Sequence, residues 1–490
     1  MMRWGRSPIR SRKPGRYWLW PVAVSLLLML PGTAGAHRAA IAGRLDPAFG
    51  HDGKATVPAP PASKVFHPLA FGYNYGSGRG MAVGPNGEIA TVRKGLVVEL
   101  TASGKPNVHF GRLGRLQLRA PEGLQFQPTA VAIDSENRLL VAGTTTQESP
   151  QSTQGPEGYP GPPPAWATVR RYRPNGKPDL TFGSGGAVNT DFGLPAPTSQ
   201  PLVPGPNGVV LSPEAFQYQS QSVVVTGLAL DPEDRPVITG AFANRVGACY
   251  AGLRSLTEGY VARLTAQGSP DSTFGASGVY RDSRAVQSEE PTVDPFGRIL
   301  YLDRTSSLCG HGESDEAALA SLDANGHPDP TFGSAGYVSL SGPASIAVDG
   351  GGRILLLESL IYSDQPSAHL LRLLPSGAAD VTFGKGGVIA IPTTSRFQLQ
   401  AVGVDGRARP LLAGFKGPAK HRKFLLRRFT ARGKGDRSFG RNGSALTGFG
   451  RRSNSEAEEV LAIPGGRLLV GGSTSVGSSE IGVASYLNGR

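Results

Sequence analysis

The sequence predicts an all-β protein, a seven-bladed β-propeller made of four-stranded antiparallel blades. Three observations lead to this prediction. An Asp-x-x-Phe-Gly block recurs seven times, a β-hairpin pattern recurs between successive blocks, and the repeating part of the chain has no convincing helix. The blocks are spaced by about 65 residues on average, a period that suits a four-stranded blade better than a solenoid repeat. Their phenylalanines are Phe49, Phe110, Phe182, Phe274, Phe332, Phe383 and Phe439.

Each unit begins with two nearly continuous apolar runs around a tight turn rich in Asp, Pro and Gly, as in residues 130–143. This pattern predicts a hairpin that is covered on both faces. A third run, such as residues 167–172, contains more polar side chains, and we expect it one strand further from the dry centre. A turn such as residues 174–177 then leads into the Phe-Gly block, and a glycine-rich fourth strand follows.

The residues of the repeated block have structural roles that follow from their chemistry. The aspartate can bond nearby backbone N–H groups and set a turn. The glycine after the phenylalanine permits backbone conformations that are closed to other residues. We expect the phenylalanine to anchor each blade to the next, because burial of an aromatic ring contributes strongly to packing.

The end of the sequence predicts how the ring closes. After Phe439 a hairpin and a third strand follow, and Arg490 lies in the turn where the next Phe-Gly block is due. The corresponding block lies at residues 45–57. We therefore expect the N-terminal strand to complete the last blade, a closure that removes unpaired sheet edges.

Residues 1–36 have the pattern of a secretory signal peptide. Six basic residues precede a short apolar run, and Ala34 and Ala36 are small residues at the positions that a signal peptidase reads. The apolar run is short for a membrane span. We expect a secreted or cell-surface protein, with residues 37–490 as one propeller domain. Cleavage of the segment and its retention as an anchor both stay open.

The charge balance argues against a nucleic-acid-binding protein. The chain has 50 Lys and Arg and 37 Asp and Glu, a net charge of +13, and the six basic residues of the N-terminal segment account for part of it. The remaining +7 is modest for so long a chain. No other segment is apolar enough to cross a bilayer. We expect a monomer whose partner is an extracellular protein or glycan, with no nucleic acid and no transmembrane span after signal cleavage.

The repeated motifs resemble the delta-60 repeat family and, more distantly, propellers of the NHL type. The resemblance rests on Asp-x-x-Phe-Gly-x-x-Gly, on Ala-Val-Asp-x-x-Gly-Arg-Ile-Leu, and on an arginine-containing strand that leads to Pro-Asn-Gly; it covers about residues 43–490. It implies a bacterial exported or surface propeller and transfers no catalytic residue. The sequence departs from the pattern at Asn107-Val108-His109 and in long insertions after Phe182.

The sequence contains no named catalytic motif. His-Glu-x-x-His, Gly-x-Ser-x-Gly, a P-loop and Cys-x-x-Cys are all missing, and the glycine clusters fall at repeat turns. We therefore predict no catalytic residue, no metal site and no cofactor.

Long segments between the repeats are the candidate binding loops. If the strands of each unit run outward from the centre, residues 144–165, 189–222, 241–259 and 303–316 lie on one face. Loops that collect on one face of a repeat protein often bind a partner. We predict an aromatic platform with polar partners there, although the same loops could simply pack on each other. The proposed residues are Trp166, Phe216, Tyr218, Arg245, Tyr250, Arg254, Glu313 and Asp315.

Cys249 and Cys309 are the two cysteines of the chain and lie in equivalent segments of adjacent units. Export makes a disulfide chemically possible. We predict a bridge that clamps two inserted loops, closes a loop of about 60 residues and stabilises the fold by about 2–4 kcal/mol.

The function that these features favour is a non-enzymatic binding or scaffold propeller with an unidentified ligand. The alternative is an extracellular lyase or hydrolase that acts on a polysaccharide or glycoside, and a wall-associated structural protein is a third class. Carboxylates together with a histidine or a metal-binding cluster at the channel would favour the enzyme. Small residues at the channel beside an aromatic patch would favour binding.

Overall fold

A computed structural model describes residues 42–58, 80–93, 95–147, 164–193, 217–249, 252–285, 287–305, 316–342, 344–360, 366–451, 453–475 and 479–489. All of them belong to the second of two compact units of the chain, residues 41–490. These ranges contain 28 β-strands and no α-helix. The described residues also contain no helix that is long and apolar enough to span a membrane. The predicted signal peptide, residues 1–36, lies outside them.

The strands follow the predicted order of two hairpin strands, a third strand and a fourth strand after the Phe-Gly block. The first strands are β2 (Met81–Val83), β6 (Leu124–Ile133), β10 (Gln217–Leu230), β14 (Gln287–Val293), β18 (Ala344–Val348), β22 (Phe397–Val404) and β26 (Asn454–Ile463). The second strands are β3 (Ile89–Arg93), β7 (Leu139–Gln147), β11 (Pro236–Cys249), β15 (Ile299–Thr305), β19 (Ile354–Leu360), β23 (Pro410–Lys416) and β27 (Arg467–Ser475).

The third and fourth strands complete the units. The third strands are β4 (Leu96–Leu100), β8 (Ala165–Tyr172), β12 (Gly252–Arg263), β16 (Glu316–Leu322), β20 (Ser367–Leu373), β24 (Lys423–Arg428) and β28 (Ser479–Leu487). The fourth strands are β5 (Arg115–Gln117), β9 (Ala187–Thr190), β13 (Val279–Asp282), β17 (Tyr337–Leu340), β21 (Val388–Pro392), β25 (Ser444–Thr447) and, from the beginning of the chain, β1 (Lys54–Pro58).

The fold is an all-β propeller with antiparallel four-stranded blades, but the sheets do not separate into seven. Within the described residues, five blades are separate four-stranded sheets, and the other eight strands, β6 to β13, form a single sheet. The two halves of that sheet are joined where Ser222 of β10 pairs in parallel with Ala165 of β8. Ser222 lies in the first half of β10, which is 14 residues long.

The first strand of the chain lies in the last sheet. β1 pairs antiparallel with β28, with Lys54 opposite Ala484 and Pro58 opposite Glu480, and the sheet order is β1-β28-β27-β26. The block at residues 45–57 therefore supplies the fourth strand of the C-terminal sheet.

The seven phenylalanines of the repeated block are fully buried, each with 0% exposure, which confirms their role as anchors. Each ring packs against a turn glycine of the following unit; a Cβ atom at Gly268 would lie 3.1 Å from the Phe182 ring, and one at Gly326 would lie 2.8 Å from the Phe274 ring. Both glycines also have positive φ angles, 93° and 80°. Glycine is needed there for the conformation and for the space.

Four units share an arrangement that we call the arginine latch. A buried third-strand arginine donates from Nε to the block aspartate over 2.8 Å and lies 4.4 to 4.8 Å from the centre of the block phenylalanine ring. The arginine also donates from Nη1 to a turn carbonyl of the following unit. The latches are Arg171–Asp179, Arg263–Asp271, Arg372–Asp380 and Arg428–Asp436.

Two units replace the latch arginine with serine, at Ser321 and Ser485. In these units a hairpin arginine reaches the following unit instead. Arg298 donates to the Pro375 carbonyl over 2.5 Å, and Arg467 donates to the Ala102 carbonyl over 2.7 Å. In six units, a guanidinium group thus bonds to a carbonyl of the following unit. The arginine lies in the third strand in four of these units and in the hairpin in the other two.

One predicted loop is wrong. Residues 241–259 are not an inserted loop, because β11 and β12 continue as paired strands up to Cys249 opposite Gly252. The pairing is physically reasonable, since antiparallel strands need only a two-residue connection. The other three predicted loops lie largely outside the described residues.

Candidate functional site

The first strands surround a cavity of about 1170 Å³, which we call the channel cavity. Its walls come mainly from β14, β18, β22 and β26, with contributions from Gly80, Arg93 and Thr129 of the first two units. A cavity of this size is large enough for a small organic ligand or a short oligomer. The channel cavity is therefore the first candidate for a binding site.

Bulges in the first strands turn polar side chains into this cavity. Five of these strands carry one extra residue at the same level, where the pairing with the second strand slips by one position. The extra residues at four of the bulges, Thr129, Glu290, Gln400 and Glu458, line the channel cavity. A β-bulge redirects a side chain without ending the strand, so the lining is polar although the strands are otherwise apolar.

Glycines in the sequence mark the positions of these bulges. In four units the second-strand residue opposite the bulge is a glycine: Gly143, Gly240, Gly414 and Gly472. A Cβ atom at each would lie within 2.2 Å of a backbone oxygen of the first strand. Only glycine allows so close an approach. A glycine that ends the second apolar run thus marks the polar residue opposite.

Hydrogen bonds at the bulge level also join successive units, and we call them the bulge-level belt. Thr129 donates to the Val225 carbonyl (3.1 Å) and Thr226 to the Ser288 carbonyl (2.5 Å). The belt continues in the later units, where side chains accept from backbone amides: Ile346 N to Glu290 Oε2 (3.1 Å), Val402 N to Ser345 Oγ (3.4 Å) and Met81 N to Glu459 Oε1 (3.2 Å).

The electrostatic character of the channel cavity is acidic. Glu290, Glu456, Glu458 and Glu459 line it, and Arg93 is the only Lys or Arg in the described lining. The Arg93 guanidinium lies 3.8 Å from Glu458, and both side chains are partly exposed. Arg422, outside the lining, pairs with Glu456. Glutamine and serine side chains add further hydrogen-bond acceptors.

The described lining fully meets neither of the two criteria given above for an enzyme and for a binding module. It contains carboxylates, as expected for an enzyme, but neither a histidine nor an aromatic residue. The described residues contain no group of three His, Cys, Asp or Glu side chains that could hold a metal ion. The arrangement can therefore hold a hydrogen-bond donor or a positive charge by electrostatic attraction.

The predicted loop-face residues are brought together only in part. Tyr218 of β10 lies directly opposite Arg245 of β11, and Arg245 pairs in turn with Ser255, beside Arg254. Trp166 lies in β8, opposite Thr145. Cys249 lies at the end of β11. Phe216, Tyr250, Glu313, Asp315 and Cys309 lie outside the described residues.

The chain is similar to known propellers at the level of the fold. A family model described as a β-propeller domain of unknown function, DUF5122, matches residues 251–274. This short match and the four-stranded blades support a β-propeller repeat family. A search of the curated proteins finds no match.

Several solved structures resemble the chain at low identity. The PQQ-bound aldose sugar dehydrogenase of Streptomyces coelicolor is 12% identical, with 88% of this chain and 98% of that chain covered and a TM-score of 0.36. The polysaccharide lyase Uly1 is 10% identical (86% and 94% covered, TM-score 0.42). The Hadza microbial sialidase Hz136 is 11% identical (82% and 73% covered, TM-score 0.35). TM-scores this low carry no argument about the function of this chain.

Proposed function

We propose that the protein is a non-enzymatic binding or scaffold module whose ligand lies in the channel cavity. The observation that carries this proposal is the set of bulges at one level, which direct Thr129, Glu290, Gln400 and Glu458 into a single cavity. A bulge placed beside a cavity serves to aim a side chain, and four of them aim at the same space.

The ligand that fits this lining carries positive charge and several N–H or O–H donors. Four glutamates, two aspartates and one arginine give the described lining an excess of negative charge, and the amide and hydroxyl side chains add neutral acceptors. Walls of one sign concentrate ligands of the opposite sign and raise their association rate. An oligoamine, a lysine-rich segment or an amino sugar oligomer has this chemistry.

Isothermal titration calorimetry tests the proposal with spermidine, trilysine, chitotriose with free amino groups, and neutral maltotriose. We expect the three cationic probes to bind, more weakly at higher salt because charge attraction is screened. Glu458→Gln should weaken spermidine binding by about tenfold, the effect of losing about 1.4 kcal/mol. Glu122→Gln, at an exposed position away from the cavity, is the matched control and should leave binding unchanged.

The possible results test the ligand class, the absence of catalysis and the location of the site separately. Binding of maltotriose alone would show that the ligand class is wrong while a binding function holds. Cleavage of either oligosaccharide, followed by chromatography, would favour the alternative of a lyase or hydrolase. Absence of binding by every probe, with the protein folded, would count against the channel cavity as the site.

We also propose that the eight-stranded sheet corresponds to two blades, so that seven blades form a ring closed by β1. Two observations support this. Met81 of β2 bonds to Glu459 of β26, and Met81 and Ile89 pack in one hydrophobic cluster with Leu469 and Ile481 of the C-terminal sheet. Deletion of residues 45–58 should then lower the melting temperature and promote association through the exposed edge of β28. An unchanged melting temperature and a monomeric deletion variant would contradict closure.

We propose export through residues 1–36 and membership of the delta-60 repeat family, on the sequence patterns described above. Expression in a bacterial host with fractionation tests export, since a chain kept in the cytoplasm would contradict it. The predicted monomer is checked by light scattering of the purified protein.

A second binding surface at the loop-rich end is a further proposal. The backbone pairing of Tyr218 with Arg245 supports it, because it brings an aromatic and a basic residue to neighbouring positions in the sheet, and both residue types are common in binding surfaces. A Cys249–Cys309 disulfide would fix this surface. Thiol titration of the secreted, denatured protein tests the bridge, and two free thiols would exclude it.

A further inference from the structure

A buried pair of aspartates lies at the junction between two neighbouring sheets. Asp282 ends β13 of the eight-stranded sheet, and Asp303 lies in β15 of the sheet that follows. Asp282 is 1% exposed and Asp303 is 2% exposed. Two carboxyl groups rarely share a buried site without a partner of opposite charge or a proton. A cation or a proton is therefore expected at this junction.

Asp282 is surrounded by hydrogen-bond donors. Its Oδ2 accepts from the Tyr337 hydroxyl over 2.5 Å and from the buried Tyr301 hydroxyl over 3.4 Å. Its Oδ1 accepts from the Arg284 backbone amide over 3.0 Å and from Arg284 Nε over 3.3 Å. Both oxygens of Asp282 therefore act as hydrogen-bond acceptors.

Asp303 has a different environment. Its Oδ1 accepts from the Ser288 hydroxyl over 2.8 Å, and its buried Oδ2 meets no donor among the residues that the structure describes. Asp303 lies two residues after Tyr301 on the same face of β15, and the Tyr301 hydroxyl bonds to Asp282, so the two buried carboxyl groups are neighbours at the junction. Burial and the neighbouring Asp282 raise the pKa of Asp303 well above its usual value. Two carboxyl oxygens can bond only if one of them carries a proton.

We propose that Asp282 and Asp303 share one proton and that this proton holds the two sheets together at their junction. Asp303 carries the proton and donates it to Asp282. The charged and titratable groups that face the pair are Arg284 from the end of β13, Tyr280 of β13, Tyr301 of β15 and Tyr337 of β17. Arg284 stacks over the Tyr337 ring at 3.3 Å from its centre, so one cation balances the one remaining negative charge.

The junction is therefore sensitive to pH. The folded state holds the Asp303 proton more tightly than the unfolded state does, because the pKa of Asp303 is raised. The stability from this group is complete below its unfolded pKa of about 4 and is lost as pH rises through the raised value. Alkaline conditions leave two negative charges at the junction and loosen it.

Urea unfolding of the full-length protein between pH 4 and pH 9, followed by circular dichroism, tests the shared proton with Asp303→Asn. The asparagine amide keeps the acceptor for Ser288 and offers a permanent donor to Asp282. We expect the urea midpoint of this variant to exceed that of the wild type by about 0.5 M or more at pH 9 and to match it at pH 4. The comparison between proteins is needed because the pKa values of Glu99, Glu289 and Glu358 are also raised and contribute their own pH dependence.

Asp282→Asn is the matched control. Its amide would face the Tyr337 hydroxyl and Arg284, both of which donate to Asp282, so this variant should have a lower midpoint at every pH. Equal pH profiles for the wild type and Asp303→Asn would overturn the shared proton. A wild-type midpoint that falls with EDTA and recovers with Ca²⁺ would also overturn it, since a metal ion would then lie between the carboxylates.

Discussion

The first unit and the four latch units join the same two positions, but with the hydrogen-bond donor and acceptor exchanged. Where the latch units have Arg171, Arg263, Arg372 and Arg428, the first unit has Glu99, and Asn107 replaces the latch aspartate. Asn107 Nδ2 donates to Glu99 Oε1 over 2.7 Å, so donor and acceptor have exchanged sides. The backbone does not change: the Asn107 amide bonds to the Glu99 carbonyl over 2.9 Å, the distance found between Asp179 and Arg171.

The hairpin of the first unit is altered in the same way. Glu88 occupies the position of Arg138 and its equivalents, and Glu88 Oε2 is buried without a hydrogen-bond partner among the described residues. Burial and the neighbouring Glu88 raise the pKa of Glu99 to about 7, against the effect of the bond from Asn107. The geometry of a unit is thus set by its backbone turns and its phenylalanine, while the polar pair can be exchanged if both members change together.

The largest expected difference between the two kinds of unit comes from truncating the polar residue of the repeated block, Asp271 or Asn107. Asp271→Ala removes the carboxylate bonded to the buried Arg263 side chain, 3% exposed, and among the described carboxylates leaves only Asp231 at 3.8 Å, so it should cost about 3–5 kcal/mol. Asn107→Ala removes a hydrogen bond between a neutral and an acidic group and should cost about 1–2 kcal/mol. Urea unfolding measures both. Equal losses would mean that charge does not distinguish the units.

Substitutions that give the first unit the charges of a latch unit test the same difference. Asn107→Asp alone places a third carboxylate beside Glu99 and Glu88 and should cost about 2–3 kcal/mol. Adding Glu99→Arg to Asn107→Asp recreates the latch pair and should recover most of this loss. A double variant that is less stable than Asn107→Asp would show that the first unit cannot hold a latch.

The pH dependence of the first unit follows from the raised pKa of Glu99. The folded state binds this proton more tightly than the unfolded state, so the contribution of Glu99 is complete below about pH 4.5 and is lost as pH rises through about 7. The free energy of unfolding of the wild type should therefore fall by about 2 kcal/mol more across this window than that of Glu99→Gln. Unfolding of both proteins at pH 5 and pH 8 checks it, and Glu122→Gln is the control for removal of an acidic charge. A Glu99→Gln profile that runs parallel to the wild type would contradict the assignment.

The smallest expected effect lies at the exposed end of a hairpin. Arg353 bonds to Asp349 over 2.8 Å, but 35% of its side chain is exposed. Arg353→Ala should therefore cost less than about 1 kcal/mol, as surface ion pairs do. A thermal melt measures the change, and a loss as large as that of Asp271→Ala would remove the distinction between latch and surface pairs.

The sequence allowed the fold to be predicted largely from its repeated residues. The buried phenylalanines, the order of the strands and the position of β1 beside β28 agree with the structure, because periodic apolar runs and turn residues act locally. The joined eight-stranded sheet was not predictable, since it depends on the single contact between Ser222 and Ala165, far apart in the chain. The acidic lining of the channel cavity was missed because a bulge changes which side chains point inward, and the pattern of alternation does not reveal a slip of one residue.

The packing of each phenylalanine on the following unit has a consequence for the time course of folding. For six of the rings the glycine partner emerges from the ribosome shortly after the ring. Phe439 is the exception, because its neighbour is Gly43, near the beginning of the chain. Synthesis at roughly 5–20 residues per second separates these two residues by about 20–80 seconds. During that interval β1 has no sheet to join, because its partner β28 is made last.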